Sequence, residues 1–263
     1  MEVIIHSDRA GADAFAAKLI ALAIRRKPDL VLGLATGRTM QPVYAALVRM
    51  HREDGLDFSR VHTFNLDEYV GIPPEAPESY RTFMNEHLFD HVNIPKENTH
   101  ILNGMAADIP EECAAFERAI AAHGGIDLQL LGIGLTGHLG FNEPASSLAS
   151  RTRIKTLTPA TLRQNAVFFG GEQNVPRHVL TMGVGTILEA RRCLVVVTGR
   201  EKAAITAQAV EGPITSMVTA SALQLHPHVT MVLDQDAASE LKMRHYYEWV
   251  FENQPEWERK KYE

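Results

Sequence analysis

Short apolar runs alternate with longer amphipathic segments along almost the whole chain, and this alternation limits the fold more than any other feature. The apolar runs predict strands at Val3–His6, Leu30–Ala35, Arg60–Asn65, Leu128–Gly132, Cys193–Thr198 and Val229–Leu233. The segments between them predict helices around Phe15–Leu22 and at Val43–Met50, Ser79–Phe89, Glu111–His123, Lys202–Val210 and Ala237–Phe251. Because strands joined through helices need right-handed crossovers, the sheet should be mainly parallel. The sequence therefore predicts a three-layer α/β sandwich with helices on both faces of the sheet.

Composition excludes several classes of protein. The chain has 263 residues and a net charge of -6, whereas a dedicated nucleic-acid binder needs a basic surface, so no nucleic-acid partner is expected. Cys113 and Cys193 stand far apart and suggest neither a disulfide framework nor a thiolate metal site. No apolar run approaches the roughly 20 residues of a membrane span, and the N-terminus has no secretory pattern. We therefore expect a cytoplasmic protein without a membrane partner.

One polar stretch, Arg151–Arg177, departs from the regular pattern and contains Gly170-Gly171. In an α/β protein such a stretch is more often a functional loop or lid than a second domain. No segment has the composition of an interdomain linker, so a single domain over residues 1–263 is expected. The charged tail after Asn253 should be solvated or frayed.

Candidate phosphate-binding residues follow two of the predicted strands, since ligands of open parallel sheets bind beyond the carboxyl ends of the strands. Thr36-Gly37-Arg38-Thr39 comes between a strand and a helix, where hydroxyls and free backbone N–H groups can hold an anion. An ordinary strand-to-helix turn has the same composition. Lys202, after a later strand, could add a positive charge or could simply lie exposed at a helix start.

Candidate proton-transfer residues follow two further strands. Asp67 and Glu68 could supply a general base, although helix capping or a solvated turn is the simpler interpretation. His138 and Glu143 lie in the glycine-rich segment Gly134–Pro144, where glycine lets the backbone approach a ligand. Their occurrence together at a strand end is as consistent with a functional role as with a structural one.

Metal-ligand patterns are weak in this sequence. His87 and His91 have the i, i+4 spacing of zinc ligands on a helix, but no glutamate stands between them in the metalloprotease arrangement. His226 and His228 flank Pro227 without an evident third ligand. We predict no metal site from the sequence.

Taken in order along the chain, these segments resemble the glucosamine-6-phosphate deaminase family, also called glucosamine-6-phosphate isomerase. The most specific elements are Phe64-Asn65-Leu66-Asp67-Glu68-Tyr69-Val70-Gly71 and Gly137-His138-Leu139-Gly140-Phe141-Asn142-Glu143-Pro144. The resemblance extends through Leu34–Gly37, Ser146–Thr158, Gly183–Thr186 and Leu223–Pro227. It implies a Rossmann-like sheet and conversion of glucosamine 6-phosphate and water to fructose 6-phosphate and ammonia, without metal or organic cofactor.

The resemblance also implies a role for each candidate residue. Asp67 would move a proton from C2 to C1 of the sugar, and His138, oriented by Glu143, would open the sugar ring. The phosphate would be held by Thr36, Gly37, Thr39 and Lys202. Residues of about 157–176 would form a lid over the substrate.

Several positions depart from the family pattern. Thr136 stands where an Asp or Asn usually lies near the ring-opening histidine, and a neutral hydroxyl stabilises imidazolium less than a carboxylate does. This substitution predicts slow ring opening. Val167 replaces a phosphate-binding lid arginine, and Arg38 and Met40 occupy positions that are usually small and Pro. Our hypothesis is that Arg38 partly replaces the missing lid arginine.

A second anion site is suggested by four residues that match the place where some family members bind the activator N-acetylglucosamine 6-phosphate. They are Ser146, Arg153, Lys155 and Thr156. Regulation of that kind needs an oligomer with two states, and the long activator-like segment favours a homo-oligomer, specifically a hexamer, over a monomer.

Three other functions stay open on the sequence. The chain could act on another amino-sugar phosphate, such as galactosamine 6-phosphate. It could be a 6-phosphogluconolactonase, although lactone hydrolysis has no need of the base offered by Asp67. It could also be a degenerate homologue that only binds a sugar phosphate, which the presence of Asp67, His138 and Glu143 disfavours.

Overall fold

The computed structural model describes residues 1–263 and contains two β-sheets. The large sheet consists of β1 (Glu2–His6), β2 (Val31–Leu34), β3 (His62–Asn65), β5 (Thr99–His100), β6 (Leu128–Leu131), β9 (Cys193–Val197) and β10 (Val229–Asp234). These seven strands are all paired in parallel, in the order β1-β10-β9-β6-β2-β3-β5. The small sheet consists of β4 (Asp67–Tyr69), β7 (Arg153–Thr156) and β8 (His178–Thr181), and it is antiparallel in the order β4-β8-β7.

Nine helices surround the sheets, namely α1 (Arg9–Arg26), α2 (Met40–Asp54), α3 (Tyr80–His87), α4 (Ile109–Ala122), α5 (Pro159–Asn165), α6 (Val184–Leu188), α7 (Ala203–Glu211), α8 (Arg244–Glu252) and α9 (Glu256–Arg259). Side-chain oxygens of Asp8, Ser79, Asp108 and Thr158 accept from the first-turn N–H groups of four of these helices. The predicted α/β fold with a mainly parallel sheet is confirmed. None of the helices has both the length and the apolarity that crossing a bilayer requires.

The large sheet lies inside one cluster of 58 buried residues. Strand β9 is apolar without alternation because both faces are covered, and it is buried at every position of Cys193–Val197. The free thiols of Cys113 and Cys193 are buried. A separate cluster of 5 buried residues lies on the small sheet.

Two expectations about local structure were wrong. The edge strand β5 and the small antiparallel sheet were not predicted, and β7 and β8 fall inside or beside the stretch taken as irregular. The last long helix begins only at Arg244, because the Asp234 carboxylate accepts from the Ala237 N–H and a series of turns follows. The charged tail is solvated as expected over residues 255–261, although Tyr262 at its end is buried against Phe15 and Phe251.

The topology places four strand ends side by side. After β2 the chain moves outward to β3 and β5 on one side of the sheet, and then to β6, β9 and β10 on the other. Direction therefore reverses between β2 and β6, and such a switch point opens a crevice at the carboxyl ends of the strands. The loops after β9, β6, β2 and β3 border that crevice in this order.

Candidate active site

Asp67 and Glu68 begin β4, which is separated from the end of β3 by one residue, and their side chains have different surroundings. The Glu68 carboxylate accepts from the Ser79 hydroxyl and from the N–H groups of Tyr80 and Arg81, so it caps the start of α3. The Asp67 carboxylate accepts no hydrogen bond from the chain, although Asp67 is only 6% exposed. The capping interpretation therefore fits Glu68, and Asp67 is left available for chemistry.

Burial raises the pKa of the Asp67 carboxyl to about 8, with a further contribution from the neighbouring charge of Glu68. A carboxyl group with a pKa near neutrality can both accept and return a proton. Strongly shifted pKa values occur both at functional sites and in buried ion pairs. Because no cationic partner faces the Asp67 carboxylate, the shift fits a functional site better than an ion pair.

The glycine-rich loop after β6 brings His138 to the same crevice. Two glycines make this possible: a side chain at Gly134 would occupy the place of the His138 ring, and a Cβ at Gly140 would lie 3.3 Å from Asp67 Oδ2. The N–H of Phe141 donates to Thr181 Oγ1 at 3.0 Å, and Thr181 is the β8 partner of Asp67. The His138 loop and Asp67 are thus fixed to each other through β8.

His138 is connected to Glu143 through a hydroxyl group. Thr136 Oγ1 lies 2.7 Å from His138 Nδ1 and 3.4 Å from Glu143 Oε2, while Nδ1 and Oε2 are 3.5 Å apart. If Nδ1–H donates to the hydroxyl, the hydroxyl can donate to the carboxylate and Nε2 keeps its lone pair. The Thr136 hydroxyl therefore links the His138 ring to the Glu143 carboxylate, although Thr136 itself carries no charge.

Glu143 is also held by the segment that the sequence predicts to be a lid. Its Oε1 accepts from the hydroxyl of Thr158 at 3.1 Å and from the hydroxyl of Thr161. Burial by itself raises the pKa of Glu143, but hydrogen bonds from His138 and Thr161 and the charge of His138 outweigh it and bring the pKa to about 2. Glu143 is therefore a permanent carboxylate whose position depends on α5.

The loop Thr36–Thr39 lies between β2 and α2, beside the loop after β6. Gly37 has a φ of 107°, which lets the chain turn into α2, and Thr39 makes no side-chain cap to that helix. Lys202 reaches the same region from the start of α7, where its Nζ donates to the Ile133 carbonyl oxygen at 2.8 Å. Burial lowers the pKa of Lys202. Thr36–Thr39 follow β2 and Lys202 follows β9, so they lie on either side of β6 at the carboxyl edge of the large sheet.

Residues 157–176 cover the small sheet. Phe169 contacts the edge of Tyr69 with ring centroids 5.0 Å apart, and the Arg38 guanidinium lies 5.2 Å from the centre of the Phe168 ring. Val167 is 65% exposed and carries no group that could bind an anion. The loop Thr36–Thr39, called the phosphate loop after its predicted ligand, thus meets the predicted lid through Arg38 and Phe168.

The four residues of the suggested activator site lie on and beside β7. Arg153 and Lys155 face one side of the strand, while Thr156 alternates to the other. Arg153 donates to Asn142 Oδ1 at 2.9 Å, directly before Glu143 in the chain. The Ser146 hydroxyl is buried and has no hydrogen-bond partner. A ligand here would be one residue away from the carboxylate that orients His138.

The two histidine pairs considered as metal ligands are engaged elsewhere. His87 ends α3 and bonds to Gln41 at 3.2 Å, whereas His91 lies in a separate turn. His226 bonds to the Ala190 carbonyl and accepts from the N–H of His228. Neither pair offers a set of free ring nitrogens.

Three site residues were missed in the sequence analysis, namely Tyr80, Thr158 and Thr161. The Tyr80 hydroxyl lies near Thr36 and donates to the Tyr69 hydroxyl at 3.3 Å. Thr158-x-x-Thr161 is recognisable as a helix start, but a helix cap by itself does not indicate that the same hydroxyls also donate to Glu143.

Comparison with known proteins identifies the family. Residues 8–232 match the family described as glucosamine-6-phosphate isomerases/6-phosphogluconolactonase. The chain belongs to this family. Within it, the chain is 52% identical over 258 residues to the glucosamine-6-phosphate deaminase of Arthrobacter sp. (strain FB24), with 98% of this chain and 99% of that protein covered. It is 48% identical over 259 residues to the glucosamine-6-phosphate deaminase of Streptomyces coelicolor, with the same coverage of both.

Solved structures share the overall fold of this chain. A structure described as a monomeric glucosamine-6-phosphate deaminase matches with a TM-score of 0.90 at 41% identity, covering 91% of this chain and 100% of the other. The 6-phosphogluconolactonase of Trypanosoma cruzi matches with a TM-score of 0.72 at 21% identity, covering 92% and 97%. At that identity the second likeness shows a shared fold alone.

Proposed function

We propose that this protein converts glucosamine 6-phosphate and water to fructose 6-phosphate and ammonia. The observation that carries the proposal is the juxtaposition of an unpartnered, buried Asp67 carboxylate with the His138 loop across Gly140. Support comes from the relatives at 48–52% identity, which are named glucosamine-6-phosphate deaminases. The reaction needs no redox change, and one carboxyl group can move the proton that it requires.

Substrate binding begins at the phosphate. Thr36, Gly37 and Thr39 offer hydroxyl and backbone N–H donors at the start of α2, and Lys202 adds a positive charge. Arg38 adds a second cation from the exposed side of the loop. Anchoring the phosphate fixes the sugar carbons over β4, so that the proton transfers become effectively intramolecular.

Ring opening falls to His138. Its Nε2 takes the proton from the anomeric hydroxyl and delivers a proton to the ring oxygen as the C1–O5 bond breaks, leaving the aldehyde. Thr136 carries the hydrogen bond from Nδ1 to Glu143, which stabilises the imidazolium from a greater distance than a directly bonded carboxylate would. Ring opening is therefore expected to be slow in this chain.

Proton transfer falls to Asp67. Its carboxylate removes the C2 proton of the open-chain sugar and returns it to C1. A second proton passes from the amino nitrogen to O1, so the aminoaldose becomes the isomeric 2-imino sugar. Water then adds to C2 and ammonia leaves, giving the ketose. A carboxyl group with a pKa near 8 holds the transferred proton without losing it to solvent between the two steps.

The chain acts as a single domain of residues 1–263, with residues of about 157–176 as its lid. Since Thr158 and Thr161 hold Glu143, lid closure would set the orientation of His138 as well as cover the substrate. We place the protein in the cytoplasm, where its sugar-phosphate substrate would be made.

The proposal also includes an activator site and a homo-oligomeric assembly. Ser146, Arg153, Lys155 and Thr156 would bind N-acetylglucosamine 6-phosphate as an activator in a homo-oligomer, with a hexamer as the predicted form. The solved relative described as monomeric favours the opposite outcome. Light scattering with and without the activator decides between the two.

The direct test is ammonia release from glucosamine 6-phosphate, with galactosamine 6-phosphate and 6-phosphogluconolactone assayed beside it. Activity on the first substrate well above that on the other two is expected. Preference for galactosamine 6-phosphate would move the function to the other epimer, which the changes at Arg38, Thr136 and Val167 make the leading alternative. Binding without turnover of any of the three would mean a degenerate homologue.

A further inference from the structure

Three histidines from three elements meet on one face of the large sheet, beside its edge strand β5. His62 opens β3, His100 ends β5, and His123 follows the last residue of α4. One ring nitrogen from each lies within 4.8 Å of those of the other two. The ring centroids are 4.6, 5.2 and 6.4 Å apart. We call this group the histidine cluster.

The rings present free nitrogens to one another. The Nδ1–H of His123 donates to the Ala119 carbonyl oxygen at 2.8 Å, which fixes the tautomer and leaves the Nε2 lone pair available. His62 Nδ1 and His100 Nε2 are buried and have no hydrogen-bond partner. Buried polar atoms normally have partners, so two unsatisfied nitrogens in one cluster call for a ligand that could join them.

Surrounding side chains hold the rings in place. Phe64 stacks on His100 with ring centroids 4.4 Å apart and an interplanar angle of 15°. Phe64 also makes edge-to-face contacts with Phe116 and with His123, each with ring centroids 5.5 Å apart. Phe64 and His100 are also direct partners in the β3–β5 pairing. The cluster is therefore supported by two strands and the end of α4, which bring the three rings close together.

The charges around the cluster are mixed. The carbonyl end of α4 and the nearby Asp29 favour a cation, whereas Arg81 opposes one.

We propose that His62, His100 and His123 bind one divalent transition-metal ion of the zinc class, with the fourth position open to water. Three imidazole nitrogens suit Zn²⁺, Co²⁺ or Ni²⁺, while Mg²⁺ and Ca²⁺ prefer oxygen ligands. Tetrahedral binding at about 2.0–2.1 Å from each nitrogen requires nitrogens roughly 3.3 Å apart, so the rings must rotate slightly inward.

The role of the ion is structural. It would join the two-residue edge strand β5 to β3 and α4, which are otherwise connected there by few hydrogen bonds. His62 stands at the start of β3, whereas Asp67 lies beyond its end, so the ion would not contact the substrate. The proposal is independent of the proposed function.

The test uses the untagged full-length chain after removal of metals with EDTA. Co²⁺ titration should give visible absorption bands that saturate at one equivalent, and Zn²⁺ should displace the Co²⁺. Zn²⁺ should raise the melting temperature of the unsubstituted chain, because an ion that binds only the folded state stabilises it. His100→Gln and His123→Gln should each weaken Co²⁺ binding at least tenfold and abolish the thermal shift.

His245→Gln is the matched control, because the His245 side chain is 100% exposed on α8 and should not affect binding. Absence of saturable Co²⁺ binding at one equivalent, or equal Co²⁺ affinity in the control and the cluster variants, overturns the proposal. Loss of Co²⁺ binding in Cys113→Ser also overturns it, because the ion would then be bound by the thiol of α4 and not by the three imidazoles. Should a cluster variant fail to fold, histidine modification by diethyl pyrocarbonate in the unsubstituted chain decides. Protection by Zn²⁺ limited to these three histidines supports the site, and no protection overturns it.

Discussion

The two sheets border the same crevice but are stabilised to very different degrees. The large sheet has seven parallel strands within 58 buried residues, whereas the small sheet has three antiparallel strands over 5 buried residues. Burial of apolar area is the main favourable contribution to folding, so the large sheet carries the stability of the molecule. The small sheet and the segment that covers it contribute less and are free to respond to a ligand.

The candidate site divides along this boundary. The phosphate loop and the His138 loop follow strands of the large sheet, while Asp67 opens β4 of the small one. Glu143 lies between them and is held by Thr158 and Thr161 of the covering segment. In the proposed mechanism, binding of the phosphate belongs to the large sheet and proton transfer to the boundary between the sheets, so substitutions in the two places should have different effects.

The largest effect should come from Asp67→Asn, at the boundary. Loss of the proton-transferring carboxylate should reduce kcat by about a thousandfold, within the range for general acid–base residues, and leave binding of the phosphate group intact. Ammonia release and the inhibition constant of inorganic phosphate measure the two effects.

Glu68→Gln is the control for Asp67→Asn, since it alters the neighbouring carboxylate. Because Glu68 caps α3, its replacement should lower the melting temperature and reduce kcat far less than Asp67→Asn does. If both variants lost activity equally, the division between a catalytic and a structural carboxylate would be wrong.

Leucine truncations in the two clusters should separate stability from substrate binding. Leu32→Ala in β2 should lower the free energy of unfolding by about 2–5 kcal/mol and leave KM unchanged in the folded protein. Leu157→Ala in the small cluster should cost less global stability and raise KM, because the covering segment loosens. Urea unfolding and steady-state kinetics distinguish them; the reverse pattern would place the stabilising core in the small sheet.

The pKa of Asp67 predicts opposite pH trends for activity and stability. Since the carboxylate form is the base, kcat/KM should fall about tenfold per pH unit below pH 8, or about a hundredfold at pH 6. The folded protein keeps a proton on Asp67 that the unfolded chain loses near pH 4, so this group's contribution to stability falls as pH rises from about 4 to 8.

A measurement independent of activity checks the same pKa. The amide that Asp67→Asn introduces cannot titrate, so the melting temperature of this variant minus that of the unsubstituted chain should increase between about pH 5 and pH 8.5. A difference that stays constant over this range would show that Asp67 is ionised throughout and that its pKa is not raised.

Thr161→Val should test the connection between the covering segment and Glu143. Removal of one hydroxyl donor to a buried carboxylate should lower kcat about tenfold, while Thr161→Ser, which keeps the hydroxyl, should stay close to the unsubstituted chain. The melting temperature should change little in either, because the large sheet is untouched. A kcat within twofold for Thr161→Val would show that Glu143 holds its place without α5.

The same comparison shows what the sequence could reveal. Six of the seven strands of the large sheet were predictable, most clearly where burial on both faces leaves an uninterrupted apolar run, as in Cys193–Val197. The seventh, β5, has only the polar residues Thr99 and His100 and was missed. The small sheet was not predictable, since Arg153–Thr156 is polar and half exposed and Asp67–Tyr69 has only three residues. Short antiparallel strands acquire their identity from their partners, which a linear pattern does not show.

Candidate residues followed the same rule. Asp67 and His138 could be found because they follow strands of the large sheet, where ligands bind. Choosing Asp67 over Glu68 needed the position of Ser79 and of the start of α3, and Thr161 needed a contact across 18 residues. The histidine cluster joins three elements that no spacing relates. Pattern locates groups along the chain, whereas packing decides which of them meet.

The smallest effect should come from Arg38, where the phosphate loop of the large sheet touches the covering segment. Arg38→Ala should raise KM for glucosamine 6-phosphate about fivefold, since an exposed cation contributes roughly 1 kcal/mol to binding an anion or an aromatic ring. Arg38→Lys keeps the charge without the planar stacking, and Phe168→Leu removes the ring but keeps the arginine. If Arg38 binds phosphate, Arg38→Lys and Phe168→Leu should both retain the affinity for inorganic phosphate that Arg38→Ala loses. If Arg38 serves only to hold the covering segment, Phe168→Leu should raise KM as much as Arg38→Ala does, and the hypothesis that Arg38 replaces a lid arginine would fail.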